Sequence, residues 1–238
     1  MNMNEDLREK IRNWRLYVIT DRQLAGNKSY EEIVSEAIKG GADVIQLRDK
    51  FASKDELINV GKKLRQITIE AGVSFIVNDY PEVTKIVDAD GVHIGQKDTS
   101  FAEAKKIVGE NKIVGLSTHN KEQILEAIRM GVDYIGVGPV FETTSKENPD
   151  PVIGIELIKW VSQKCDIPFV AIGGITLNNL DKVLSSGARC ITVISAIMQA
   201  SDIKRATEQF KKIINNFFYH NDTTNTTIYN QKDKTILY

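Results

Sequence analysis

The sequence alternates eight times between short β-branched runs and stretches with helical periodicity. The apolar runs cover residues 16–20, 43–47, 74–78, 91–95, 113–116, 134–138, 168–172 and 190–194. Apolar residues recur at helical spacing in segments such as 30–39, 54–71, 121–130 and 154–164. Strands that alternate with helices form parallel sheets, and eight such units close into a barrel. The pattern therefore predicts a single (β/α)₈ TIM barrel of the α/β class.

The length agrees with one closed barrel. The chain has 238 residues, close to the roughly 250 that are typical of this fold. We predict one catalytic domain over residues 1–214, beginning with a short N-terminal helix. Residues 215–238 are rich in Asn and Thr and lack an apolar period, which predicts a mobile C-terminal tail. Segment 139–153 exceeds the usual two to six residues of a βα loop and is predicted to be a lid.

The composition excludes several classes of function. The chain carries 31 basic and 32 acidic side chains, so nothing predicts a nucleic-acid surface. No stretch approaches the roughly 18 apolar residues of a membrane span, and the N-terminus lacks a signal-peptide core. We therefore expect a cytoplasmic protein, without membrane or nucleic-acid partners. A homo-oligomer is compatible with the sequence. Cys165 and Cys190 have no metal-site spacing and are predicted to be buried spectators.

Two cations follow the second predicted strand, where barrels of this class place their active sites. Gln46, Arg48 and Lys50 share one face of an extended chain, whereas Leu47 and Asp49 fall on the other. Cations that converge at a barrel mouth need an anion or another partner to offset desolvation. A phosphate or pyrophosphate would serve, so small phosphorylated molecules are the expected partners. The alternative is a ring of structural ion pairs.

Two carboxylates follow the third and fourth predicted strands. Asp79 comes after Asn78, and Asp98 closes the triplet Gln96-Lys97-Asp98. Because neighbouring parallel strands lie about 5 Å apart, these carboxylates could approach each other and require a cation. Mg²⁺ is often held by one or two carboxylates, with substrate phosphate completing its shell. The alternative is that each Asp caps the helix that follows it.

The remaining strand ends also carry signals for anion binding, and some of these signals are stronger than others. Gly173-Gly174 and Ile194-Ser195 follow the last two strands, where many barrels bind phosphate through backbone N–H groups. Here the alternative is a tight turn without a ligand. Hydroxyls and a lysine that could also donate to phosphate are a weaker signal: Ser117, Thr118, Thr143, Thr144, Ser145 and Lys146.

The two histidines within the predicted barrel have different positions. His93 lies in the middle of a predicted strand and is expected in the core or the barrel floor. His119 follows a strand end, where an imidazole can act as an acid or base near neutral pH. A hydrogen bond at the start of the next helix would explain His119 nearly as well.

Taken in order, these motifs resemble the thiamine-phosphate synthase family over nearly the whole barrel. The resemblance is carried by Gln46-Leu47-Arg48-Asp49-Lys50, Asn78-Asp79, Gly91-Val92-His93-Ile94-Gly95-Gln96-Lys97-Asp98, Gly115-Leu116-Ser117-Thr118-His119, Gly136-Val137-Gly138-Pro139-Val140-Phe141, Ile172-Gly173-Gly174-Ile175 and Val193-Ile194-Ser195-Ala196-Ile197. It implies that a hydroxymethylpyrimidine pyrophosphate and a thiazole phosphate are joined with Mg²⁺, through a carbocation-like pyrimidine.

The resemblance also implies roles for individual residues. Asp79 and Asp98 would bind the metal, and Gly174, Ile194 and Ser195 would hold the thiazole phosphate. Catalysis would involve Arg48, Lys50, Ser117 and Lys146. The pyrimidine pyrophosphate would be held by Gln46, Leu47, Arg48, Asp49, Lys50, Asn78, Ser117, Thr143, Thr144, Ser145 and Lys146.

Four positions depart from the commoner pattern of that family, and two other functions compete with it. The departures are Tyr80 for arginine, Lys97 for glutamate, Glu142 for proline and Ser145 for threonine. One competitor is a thiazole tautomerase of the same fold, which needs neither pyrophosphate nor metal. Gln96-Lys97-Asp98 together with Gly138-Pro139 favours the synthase. The other is a barrel that binds a phosphorylated ligand without turnover, for which a pair of metal carboxylates would be unnecessary.

Overall fold

The computed structural model describes residues 9–143 and 150–232, with side chains as far as His220. Eight parallel strands pair in sequence order and close into a barrel, with β1 beside β8. The strands are β1 Leu16–Ile19, β2 Val44–Leu47, β3 Ser74–Asn78, β4 Gly91–Ile94, β5 Ile113–Thr118, β6 Tyr134–Val137, β7 Phe169–Ile172 and β8 Cys190–Val193. This confirms the predicted fold.

Helices follow the strands on the outside of the barrel. They are α1 Tyr30–Lys39, α2 Lys54–Ala71, α3 Pro81–Ile86, α4 Phe101–Val108, α5 Lys121–Met130, α6 Gly154–Lys164, α7 Leu180–Ser185, α8 Ser195–Met198 and α9 Ile203–Lys232. Local chemistry fixes where two of them begin. Ser29 and Glu32 form a reciprocal capping box at the start of α1, and Ser53 and Glu56 form another at the start of α2.

The core has two layers, separated by the sheet. The larger layer lies between strands and helices and contains residues such as Leu47, Phe75 and Phe210. The smaller layer fills the lower interior of the barrel, where Tyr17 and Tyr134 are completely buried. Trp14 closes this floor with edge-to-face contacts to both tyrosine rings, at centroid distances of 5.8 and 5.4 Å. Among the described residues, this floor is filled, and the cavity lies at the opposite end of the barrel.

The last helix extends past the predicted domain boundary. α9 continues to Lys232, and Phe217 and Phe218 are partly buried against the core. Residues 215–218 therefore pack on the barrel. Apolar contacts that are distant in sequence hold this segment, which local periodicity does not reveal. Within the described residues, no helix is long and apolar enough to cross a membrane.

Candidate active site

A cavity opens at the C-terminal ends of the strands. Most predicted strand-end residues reach it, together with side chains from inside the barrel. Its lining consists of Ile19, Gln46, Arg48, Lys50, Asn78, Asp79, His93, Gly95, Asp98, Ser117, His119, Gly136, Gly138, Pro139, Thr143, Asp150, Ile172, Gly173 and Ile194. Arg48, Lys50, Asp79 and Asp98 thus share one cavity, although they come from three different strand ends.

Arg48 is held in place by residues at the end of β1. Its guanidinium donates to Asp21 at 2.9 Å, and both side chains are largely buried. Its backbone N–H donates to the Thr20 hydroxyl at 3.1 Å. Asp21 is a residue that the sequence predictions miss, because an acidic group beside a turn is common and has no motif. Only the tertiary structure shows that Asp21 is buried against Arg48 at the mouth of the barrel.

Lys50 lies on the other side of this edge and pairs with Asp79. Both predicted cations therefore have carboxylate partners, as the ion-pair alternative expects, yet both also line the cavity. Asp79 adopts a left-handed backbone conformation with φ of 66°. Such strain in a residue other than glycine is concentrated at functional sites. The backbone N–H of Asp79 donates to the carbonyl of His93 at 2.9 Å, which holds this conformation.

Asp79 is close enough to Asp98 to affect the ionisation of Asp98. Partial burial of Asp98, and then the negative charge of Asp79, raise the pKa of the Asp98 carboxyl above its ordinary value. A backbone N–H from Gly95 donates to Asp98 at 2.7 Å and opposes that shift. Two carboxylates in this relation favour a cation between them.

Neither carboxylate caps a helix, so that alternative is wrong. α3 has Tyr80 at its N-cap position, without a side-chain cap. α4 is capped by Ser100, whose hydroxyl accepts from the backbone N–H of Glu103. Asp79 and Asp98 each lie before the capping position, which leaves their carboxylates directed at the cavity.

The donor set fits a magnesium ion that is shared with a ligand. Asp79 and Asp98 are oxygen donors, as Mg²⁺ prefers. In residues 9–143 and 150–220, no cluster of three or more His, Cys, Asp or Glu side chains could enclose a metal by itself. Mg²⁺ usually keeps waters and substrate phosphate oxygens in its octahedral shell, so two carboxylates are the expected protein contribution.

The five predicted residues at the end of β2 have different surroundings. Gln46 is buried at the bottom of the cavity and donates to the Tyr17 hydroxyl at 2.7 Å. Leu47 is in the core between sheet and helices. Asp49 accepts from the backbone N–H groups of Phe51 and Ala52 and from the Tyr30 hydroxyl. The side chains of Leu47 and Asp49 therefore do not line the cavity, as strand alternation requires.

Ser117 lies at the cavity wall and contacts a histidine. Its hydroxyl is 2.9 Å from Nε2 of His93, and Nδ1 of His93 is 2.9 Å from the Tyr134 hydroxyl. His93 therefore contributes to the wall of the cavity. Its position in the middle of a strand predicts a place in the core or the barrel floor instead. Gly115 and Gly136 make room for this layer. A Cβ on Gly115 would lie 2.2 Å from the Tyr134 ring, and one on Gly136 would lie 3.2 Å from His93.

The opposite side of the mouth has no charged lining from β7 or β8. Gly173 and Gly174 have φ of 103° and 63°, and the chain after β6 packs directly over them. A Cβ on Gly174 would lie 2.3 Å from the Glu142 carbonyl. Phe141 donates its backbone N–H to the Gly173 carbonyl at 3.0 Å. These glycines therefore hold the start of the long loop as well as the end of β7.

The predicted thiazole phosphate residues are distributed around this side. Ile194 lines the cavity, and Ser195 begins the short helix α8. Gly174 adjoins the lining residue Gly173, and its carbonyl accepts from Asn179 at 2.9 Å.

His119 connects the end of β5 to both ends of the long loop. Its Nδ1 is 2.6 Å from the Gly138 carbonyl, and its Nε2 is 3.4 Å from a carboxylate oxygen of Asp150. The following helix is capped by Asn120, so the His119 ring does not serve as a helix cap. Thr143 lines the cavity. The predicted binding residues Thr144, Ser145 and Lys146 lie outside the described residues.

Three departures from the family pattern have defined positions. Lys97 is exposed and absent from the cavity lining, as expected if Asp98 faces a metal. Tyr80 is also outside the lining, and the Lys54 ammonium lies over its ring at 5.4 Å. Glu142 is exposed, and its carbonyl is the group that approaches Gly174.

Inside the barrel, the sequence predictions miss the roles of Tyr17 and Tyr134, and they place His93 in the core or floor without a place at the cavity wall. All three residues alternate with apolar residues in strands that read as ordinary core. A usable signal is the presence of Gly115 and Gly136 within strands, where glycine marks a close approach by another group.

Several known proteins are similar to this chain in sequence and fold. The thiamine monophosphate synthase family matches residues 16–197. A thiamine-phosphate synthase of Halalkalibacterium halodurans is 44% identical over 204 residues, which cover 86% of this chain and 97% of that protein. The synthase of Chloroflexus aurantiacus is also 44% identical over 204 residues, covering 86% of this chain and 94% of that protein.

Solved structures show the same likeness. A thiamine phosphate pyrophosphorylase from Pyrococcus furiosus superposes with a TM-score of 0.80 at 44% identity, covering 89% of this chain and 98% of that one. A 3-hexulose-6-phosphate synthase has a TM-score of 0.62 at 17% identity, covering 83% of this chain and 98% of that one. At that identity, the likeness shows the barrel fold and supports no statement about function.

Proposed function

The chain belongs to the thiamine monophosphate synthase family, and from that premise we propose how its barrel mouth performs the reaction. It is a transferase with thiamine-phosphate synthase function. We propose that 4-amino-2-methyl-5-hydroxymethylpyrimidine pyrophosphate and 4-methyl-5-(2-hydroxyethyl)thiazole phosphate are its substrates. The observation that carries this proposal is the convergence of Arg48, Lys50, Asp79 and Asp98 on one cavity.

The charged side of the mouth would receive the pyrophosphate. As the bond between the pyrimidine methylene carbon and the pyrophosphate oxygen breaks, negative charge collects on the leaving group. One cation at about 4 Å contributes on the order of 4 kcal/mol at an effective dielectric of 20, before desolvation is subtracted. Arg48 can supply this stabilisation without reorganising, because Asp21 already fixes its guanidinium. Lys50 can exchange its contact with Asp79 for one with the phosphate.

A magnesium ion held by Asp79 and Asp98 would neutralise pyrophosphate charge when bound. The fit rests on the paired carboxylates and on the raised pKa of Asp98. Releasing Lys50 from Asp79 would then leave that ammonium free for the substrate. When the substrate and the metal bind, Asp79 would exchange its contact with Lys50 for one with the metal. Lys50 would exchange its contact with Asp79 for one with the pyrophosphate.

The uncharged side would hold the second substrate. Gly174, Ile194 and Ser195 would bind the thiazole phosphate through backbone N–H groups, which is common after the seventh and eighth strands of barrels. The thiazole nitrogen would then form a bond to the pyrimidine methylene carbon, which has carbocation character after the pyrophosphate departs. No protein nucleophile is required, and positioning of two bound reactants supplies much of the acceleration.

The test is turnover by the purified chain with both substrates and Mg²⁺. We expect thiamine phosphate, measured by chromatography, and an equal amount of pyrophosphate, measured by a coupled assay. Chelation of the metal should stop both products, and added Mg²⁺ should restore them. Binding of both substrates without product would support a phosphate-ligand sensor. Isomerisation of a thiazole phosphate, without any release of pyrophosphate, would support the tautomerase. Either result would overturn the proposal.

A further inference from the structure

A continuous chain of hydrogen bonds runs from the barrel interior to the wall of the cavity. Gln46 Nε2 donates to the Tyr17 hydroxyl at 2.7 Å. The Tyr17 hydroxyl is 3.0 Å from that of Tyr134, which is 2.9 Å from Nδ1 of His93. His93 Nε2 is 2.9 Å from the Ser117 hydroxyl. Five side chains from five different strands are thus linked in one series.

The direction of the series follows from where the Tyr17 hydroxyl hydrogen goes, because each later group can donate or accept. Because the Gln46 amide donates to Tyr17, the Tyr17 hydroxyl hydrogen is available for Tyr134. If Tyr134 accepts this hydrogen, its own hydrogen is available for Nδ1 of His93. A neutral imidazole that accepts at Nδ1 carries its hydrogen on Nε2. Burial raises the pKa of both tyrosine hydroxyls, so both remain protonated and able to donate.

In that tautomer, the hydrogen on Nε2 of His93 lies toward the Ser117 hydroxyl. The serine oxygen would accept it, which would leave the serine hydrogen for another partner. Within residues 9–143 and 150–220, no second hydrogen bond of this hydroxyl is found, and Ser117 lines the cavity. The Ser117 backbone carbonyl accepts from Gln96 at 2.6 Å, which fixes the serine from the opposite side.

The geometry points to His93 as a positioning residue that holds the Ser117 hydroxyl as a hydrogen-bond donor toward the substrate. The series from Gln46 through Tyr17 and Tyr134 selects the Nε2–H tautomer of His93. Only the identity of the acceptor rests on the proposed function. In the pyrimidine pyrophosphate, that acceptor is a ring nitrogen or a phosphate oxygen, and a donor such as an amino group would be disfavoured there.

Packing keeps the series in register. β4, β5 and β6 place His93 beside Gly115, and Gly115 beside Tyr134. The Tyr134 ring occupies the space that a side chain at Gly115 would need, and the His93 ring lies 5.4 Å from it. A rotated imidazole would lose both of its partners, so the crowding preserves the arrangement.

The first experiment measures the tautomer directly, without turnover. ¹⁵N NMR of histidine-labelled protein distinguishes a protonated from an unprotonated ring nitrogen. The sequence has three histidines, so His119→Gln and His220→Gln assign the His93 signals by elimination. We expect the wild-type His93 to carry its hydrogen on Nε2, and Tyr134→Phe to raise the Nδ1–H population. Nδ1–H in the wild type would overturn the inference, whether or not the chain is active.

The second experiment is a double-mutant cycle in the rate. Ser117→Ala is expected to reduce kcat about 10- to 100-fold, and Tyr134→Phe about threefold to tenfold. Because Tyr134 acts through Ser117, Tyr134→Phe should have little further effect in the Ser117→Ala background. Fully additive losses would show that Tyr134 serves packing alone, and would overturn the proposed series.

Two substitutions of His93 separate its two nitrogens. His93→Gln can place an amide donor near Ser117, where Nε2 stood. His93→Asn is shorter and can reach Tyr134 without reaching the serine. We expect His93→Gln to recover most of the kcat that His93→Asn loses, with KM for the pyrimidine substrate less affected than kcat. Equal losses in the two variants would contradict a role through Ser117.

Discussion

The two sides of the barrel mouth are built in different ways. On the β2–β4 side, the four charged groups Arg48, Lys50, Asp79 and Asp98 face the cavity. On the β7–β8 side, the lining residues are Ile172, Gly173 and Ile194, and none of them is charged. On the charged side, the cations form ion pairs with carboxylates. On the uncharged side, the backbone after β7 packs closely against the start of the long loop.

This difference fits two substrates with different fates. A leaving pyrophosphate gains charge during the reaction, so mobile counter-charges on its side stabilise the transition state more than the ground state. A phosphate that serves only as a handle keeps its charge, and fixed backbone donors are sufficient for it. A variant on one side should therefore alter one substrate and leave the other unchanged.

The largest expected effect comes from Asp98→Ala on the charged side. Loss of a carboxylate from the proposed metal pair should reduce the magnesium-dependent rate by about 100-fold or more. Binding of the thiazole phosphate should change by less than about twofold, because it occurs at a separate site. Steady-state rates across a magnesium titration, with calorimetry for the thiazole phosphate, check both expectations.

Lys97→Ala is the matched control for that variant. Lys97 is the preceding residue, exposed and outside the cavity lining, and its replacement should leave the rate unchanged. An unaltered rate in Asp98→Ala would remove Asp98 from the metal site. Equal loss of thiazole phosphate affinity would contradict the division of the mouth into two sides.

A smaller effect is expected from Gly174→Ala on the uncharged side. The new Cβ would lie 2.3 Å from the Glu142 carbonyl, so the start of the long loop must shift. We expect KM for the thiazole phosphate to rise about tenfold, while the affinity for the pyrimidine pyrophosphate stays nearly constant. Steady-state kinetics with each substrate varied in turn measure the split.

Gly72→Ala separates this clash from backbone strain. Gly72 has φ of 68°, close to that of Gly174, but it lies at the far end of the barrel, where a new Cβ would meet no other group within 4 Å. Gly72→Ala should lose roughly 1–2 kcal/mol of unfolding free energy through its left-handed backbone alone, and Gly174→Ala should lose more because the clash adds to the same strain. Only Gly174→Ala should alter KM. A similar change of KM in both variants would attribute the effect to stability.

The smallest effect is expected from Asp21→Asn, which tests the support of the charged side. The amide keeps the shape of the Arg48 partner but removes its charge, so the guanidinium is held less firmly. We expect kcat/KM for the pyrimidine pyrophosphate to fall about threefold. An unchanged value in a stopped-flow or steady-state assay would show that Arg48 needs no such support.

Much of this site could be predicted from the strand ends, and the failures have a common cause. Period-two alternation correctly placed Gln46, Arg48 and Lys50 on the cavity and Leu47 in the outer core. It could not show that the Asp49 carboxylate accepts hydrogen bonds from the Tyr30 hydroxyl and two backbone N–H groups. Nor could it find Asp21, because its partner is 27 residues away in sequence.

The sequence by itself determined the eightfold βα pattern, the boundaries of helices such as α2, and the end of the barrel where chemistry occurs. Those properties follow from local periodicity, capping residues and the chain direction, which are written within a few adjacent residues. Closure of the barrel decided the rest. It brought Asp79 beside Asp98, fixed Arg48 against Asp21 and aligned His93 between Tyr134 and Ser117. These contacts join different strands, and their energies depend on burial and distances that exist only after the strands have met.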